Sequence, residues 1–158
     1  MKVVLDSSVP IAASISRAGV CAELLEDVLT HHELVISDFI AEELSRKLRD
    51  KFNFPEREVR QLRRLLARMA STVVPTDLPA NVCRDSQDVP VLGTAVAGGA
   101  SVLVTVDKDL LALGEFQGIA IIKPGEFWQT DDSLRAGRLL AAPLRNCSMK
   151  PRKLLFDT

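Results

Sequence analysis

Apolar positions along the chain follow two periods, short β-branched runs and longer stretches with an apolar residue every third or fourth place. KVVL (2–5) predicts a first buried strand, ELVIS (33–37) a second, STVVP (71–75) a short third and IAII (119–122) a last one. Between them VCAELLEDVLTH (20–31) reads as a helix with Leu24, Leu25, Val28 and Leu29 on one side. DFIAEELSRKLRDKF (38–52) reads as another, started by Ser37 or Asp38 as cap. A third helix, PEREVRQLRRLLARMA, opens at Pro55 and is the clearest amphipathic segment. Val59, Leu62, Leu66 and Met69 form its apolar stripe, and Arg57, Arg60, Arg64 and Arg68 lie nearly opposite. The Pro-rich run to Cys83 reads as a loop, KDLLAL as a short helix and PGEFW as the start of a final helical turn. Strands alternating with helices predict an α/β fold: three layers, α/β/α, around a mostly parallel sheet of four or five strands.

Residues 89 to 106, VPVLGTAVAGGASVLVTV, carry no charge over 18 positions, the length at which a membrane span must be considered. Pro90 and the Gly98-Gly99 pair divide it into a small-residue helix and a β-branched strand, so it reads as a buried helix–turn–strand unit. The start, MKVVLDSS, brings in Asp6 after only three apolar residues and fits no secretory leader. The expectation is a cytoplasmic protein with no membrane partner.

At 158 residues, 47% hydrophobic and 26% charged, the chain suits one domain with a real core, which excludes a disordered tail or a disulfide miniprotein. Cys21, Cys83 and Cys147 are odd in number and form no CxxC pair, which fits a reducing compartment and signals no structural zinc site. The net charge of −1 conceals a segregation. Residues 46–68 hold nine Lys/Arg and three Asp/Glu, residues 135–153 hold six and none, and the rest holds five basic and 18 acidic residues. An acidic site with separate basic surfaces follows, although either basic stretch alone also suits a solvated helix face. The expected division is a domain over 1–129 and a basic C-terminal extension over 130–158, weakly helical around Leu134 to Ala141 or disordered.

The acids fall at the ends of apolar runs. Asp6 follows KVVL, Asp107 follows VLVTV, Asp88 opens the helix before that strand with Asp85 just upstream, and Glu42 and Glu43 lie in the helix after ELVIS. In an open parallel sheet the strand C-termini share one edge, where ligands bind. Singly, Asp88 and Asp107 also suit helix caps, Asp85 a loop turn, and Glu42 or Glu43 a solvated helix face. Gathered carboxylates raise one another's pKa and need a cation. Oxygen ligands favour Mg²⁺ or Mn²⁺; the adjacent His31 and His32 look like an exposed helix end.

KVVLDSSV, VISDFIAEEL, CRDSQDVPVLGTAVAGGASVLVTVDKDLLAL and GIAIIKPGEF together resemble the PIN-domain nucleases, especially toxin components of toxin–antitoxin systems related to VapC-type toxins. The likeness runs from residue 1 to about residue 128, and the third segment is its most specific part. It implies four acids, Asp6, Glu43, Asp88 and Asp107, with Ser7, Asp85, Thr105 and Asp109 as auxiliaries. It further implies Mg²⁺ or Mn²⁺ held by Asp6, Asp88 and Asp107, hydrolysis of RNA, an antitoxin covering the cleft, and a homodimer. The Arg57, Arg60, Arg64 and Arg68 face would draw in the RNA backbone. Ser7-Ser8 stands where the family commonly has Thr-Asn, and Val106 where it has Gly. Those departures keep open a PIN-like module that binds RNA or protein without cleaving. A haloacid-dehalogenase-like phosphatase is the other alternative, with Ser8 in place of its usual second Asp.

Overall fold

Lys2–Leu5 (β1), Glu33–Ile36 (β2), Ala70–Thr72 (β3), Val102–Val104 (β4), Glu115–Phe116 (β5) and Ile119–Ile122 (β6) form one sheet in the order β3-β2-β1-β4-β6-β5. This arrangement comes from a computed structural model that describes residues 1–139. All neighbours pair in parallel except β5 and β6. The sheet is flanked by helices, as expected, but has six strands instead of four or five. Buried from both faces, β4 is apolar throughout, and β1 and β2 are apolar after their exposed first residues, Lys2 and Glu33, with no polar alternation. Val3, Val4, Val35 and Leu103 are essentially sealed from solvent, and each such side chain contributes about 1.5–3 kcal/mol by burial.

The helices are α1 (Ser8–Ile15), α2 (Val20–His31), α3 (Asp38–Asp50), α4 (Glu56–Met69), α5 (Val89–Gly98), α6 (Lys108–Leu111) and α7 (Phe127–Leu139). Ser37, not Asp38, caps α3, accepting from the Ile40 N–H. Helix α5 has Pro90 in its first turn and ends on Gly99, whose φ of 62° is the left-handed conformation a side chain would resist. It packs against β1 and β2 at Gly98, where a methyl group would run into the Val35 side chain.

Several elements depart from expectation. Helix α1 was not foreseen in SVPIAASI because Pro10 and small residues hide any helical period; Val9, Pro10, Ile11 and Ala13 are buried instead. Strand β5 is only two residues long, and its hairpin to β6 turns through Gln117 and Gly118, both at positive φ. Met69, expected in the buried stripe of α4, is 48% exposed, whereas Val59 and Leu66 are buried. His32 is not exposed: its side chain is sealed and stands edge-on to the Phe127 ring, 5.3 Å between centroids.

The chain divides into one unit over Met1–Phe127 and another from Trp128. Within the second, Arg135 pairs with Asp131 at 2.9 Å on α7. Residues 140–158, with Ala141, Cys147 and most of the expected basic extension, lie outside the described residues. Among the described residues, no single helix is long and apolar enough to cross a membrane.

Candidate active site

From β1 the chain steps outward to β2 and β3, then returns to place β4 on the other side of β1. Strand order therefore reverses between β1 and β4, and a crevice opens beyond the C-terminal ends of such a pair. Leu5 pairs with Val104, and the Asp6 N–H continues the ladder to the Val104 carbonyl at 3.0 Å, so Asp6 and Thr105 emerge side by side at that edge.

Asp6 is buried, and two hydroxyls hold one of its oxygens. Ser8 donates to Oδ2 at 2.8 Å and Thr105 at 3.0 Å, leaving Oδ1 for another partner. Burial pushes the Asp6 carboxyl above its ordinary range, opposed by those hydroxyls; Glu43 adds to the rise and Lys47 counters it. Thr105 also accepts the Asp107 N–H at 3.0 Å, joining the first and fourth expected acids through one side chain. Asp107 Oδ1 caps α6, accepting from the N–H groups of Asp109 and Leu110.

Glu43 reaches the cleft from the second turn of α3. Its Oε2 accepts from Ser7 at 3.0 Å, while Oε1 lies 3.2 Å from Lys47 Nζ. Glu42 points elsewhere and pairs with Arg63 at the surface. The Ser7-Ser8 departure thus retains hydroxyls on two acids, and Ser8 also accepts the Val106 N–H at 3.4 Å. Ser8 and Lys47 touch the candidate acids without being among the expected residues; the signal for Lys47 is its i+4 spacing from Glu43, submerged in a basic run.

Asp88 opens α5 without capping it through its side chain, and its buried Oδ2 has no hydrogen-bond partner. Its pKa is pushed up to about 7, first by burial and then by Asp107, Asp6, Asp85 and Glu43. One oxygen each from Asp85, Asp88 and Asp109 lie within 4.8 Å of one another. The expected ligands Asp6 and Asp107 stand outside this triad, but their charges, like those of Asp85 and Glu43, help to raise the Asp88 pKa. Asp85 also makes a local turn with the Gln87 N–H, and Asp109 lies 3.9 Å from Arg84. An orphaned buried oxygen among carboxylates fits a hard divalent cation, and Asp6, Asp88 and Asp107 offer it oxygens alone.

Arg57, Arg60, Arg64 and Arg68 are all exposed on α4. Arg60 approaches Glu56 only at 3.8 Å, and that glutamate is already held by Arg49 at 2.6 Å.

The family profile described as "PIN domain" matches residues 2–109 of the chain. No curated protein matches it. Among solved structures, a chain of VapBC-1 from nontypeable Haemophilus influenzae is similar, with 17% identity and a TM-score of 0.54, over 79% of this chain and 99% of that one. A chain of VapBC2 from Rickettsia felis, solved bound to a DNA fragment from their promoter, is similar at 13% identity and a TM-score of 0.53, over 78% of this chain and 98% of that one. At these identities the likeness is one of fold.

Proposed function

The chain belongs to the PIN domain family, and from that membership we propose that it is a metal-dependent endoribonuclease acting in the cytoplasm as the toxin of a toxin–antitoxin pair. The observation that carries this reading is the convergence of Asp6, Glu43, Asp88 and Asp107 on one sheet edge, with a buried Asp88 oxygen lacking a partner. Asp6, Asp88 and Asp107 would hold Mg²⁺ or Mn²⁺. Such an ion, when bound, acidifies a water and polarises a phosphodiester oxygen. Asp6 offers the oxygen that Ser8 and Thr105 leave open, Asp88 offers Oδ2, and Glu43 orients the attacking water. Expulsion of the ribose 3′-oxygen leaves 5′-phosphate and 3′-hydroxyl ends. Asp85 and Asp109 contribute negative potential beside Asp88.

The exposed arginines of α4 draw the RNA backbone in by charge. Six Phe, one Trp and no Tyr leave little for base stacking, so RNA shape or accessibility sets the target. An antitoxin covering the cleft is a partner this reading carries, supported by the fold shared with chains of the two VapBC structures, and a homodimer is the other. The hydroxyl support retained at Ser7 and Ser8 favours an active enzyme over a binding module that lost its chemistry.

Asp6→Asn is isosteric and should abolish Mg²⁺-dependent cleavage of single-stranded RNA by the purified protein, with its circular dichroism unchanged. Undiminished cleavage by that variant would sink the proposal.

A further inference from the structure

We propose that Lys47 is a positioning residue for Glu43, a role that rests on the hydrolytic reading of this cleft. A lysine four residues after a glutamate on a helix is normally a solvated pair worth a few tenths of a kcal/mol. This one is placed differently. The Glu43 side chain is only 14% exposed and that of Lys47 34%, so the pair sits at the wall of the cleft. The ammonium lies 3.2 Å from Glu43 Oε1 and 3.5 Å from Ser7 Oγ, and Ser7 donates in turn to Glu43 Oε2 at 3.0 Å. Glu43, Ser7 and Lys47 therefore close a ring linking α3 to the start of α1, and both carboxylate oxygens of Glu43 are held within it. The Lys47 charge is also felt at Asp6, across the cleft floor.

Two consequences have opposite signs. Fixing Glu43 in one orientation favours the chemical step, since groups supporting catalytic residues are typically worth about 10–100-fold. A permanent cation beside the acids weakens attraction for a second one. Lys47 thus trades metal affinity for a fixed Glu43, and it makes no call on the RNA itself.

Lys47→Met and Lys47→Gln test this together with Lys47→Arg. Expected for both neutral variants is a fall in kcat of about tenfold with KM for RNA unchanged. Mn²⁺ titrated into the same proteins without RNA should bind several-fold more tightly than to the wild type. Lys47→Arg should restore most of kcat, and Lys47→Met should cost nothing further on a Glu43→Gln background. Unchanged kcat or a rise in KM alone would overturn the positioning role, and weaker or unchanged Mn²⁺ binding would overturn the opposition to the cation. If the wild type binds Mn²⁺ but cleaves no RNA, the hydrolytic reading fails, and the Mn²⁺ affinities still decide whether Lys47 opposes the cation.

Discussion

Asp88 shows how burial and neighbouring acids set the acidity of one side chain. Its folded pKa of about 7 lies above the ordinary 3.8, so the folded chain holds this proton more tightly than the unfolded chain. The stability that follows is fully present below the ordinary value and is lost as pH rises through about 7. Chelator-treated protein should accordingly melt at falling temperature from about pH 5 to about pH 8, and Asp88→Asn should show a shallower slope. An identical slope in the variant, by differential scanning calorimetry, would remove Asp88 from this role. Asp6 was legible as a candidate because a carboxylate ending a buried apolar strand has few structural uses. Its holders were not: Ser8 stands where the family commonly has Asn, and only the folded chain brings its hydroxyl within 2.8 Å of Asp6.

Among the secondary elements, α4 has the most readable surface and the least obvious energetics. Its charge pattern suggested four equivalent arginines, but Glu56 engages Arg49 and approaches Arg60, while Arg63 is tied to Glu42 on α3. Among the described residues Arg64 has no such ion pair and is free for phosphate. Arg64→Glu should weaken RNA binding and reduce the slope of log affinity against log salt by about 0.7 or more, the value of one single-strand phosphate contact. Arg63→Glu should alter that slope less, because a paired guanidinium is already neutralised; equal slopes by filter binding would show that the pairs do not matter. Element positions were read well where periodicity was strong: α2 spans the residues expected, and so do β1 and β6. They were missed where it was absent, as in α1, with Pro10 and small residues, and in the two-residue β5.

For the molecule as a whole, the acids join segments as far apart as Asp6 and Asp107, so an ion bound among them must stabilise the fold. Mg²⁺ at about 100 times its Kd should add about 2.7 kcal/mol, read as a rise in melting temperature. Asp6→Asn should abolish that rise, and a full response in this variant would place the ion elsewhere.

Local pattern was enough to specify which runs become strands, which acids end them and which helix carries the basic face, because side-chain periodicity and capping chemistry act over a few residues. It also carried the family likeness, through residues contiguous in the chain. Strand order, the reversal between β1 and β4, and the contacts that hold Glu43 between Ser7 and Lys47 were not available there. Each depends on which surfaces meet once the apolar runs are buried together, and that is a property of packing between residues tens of positions apart.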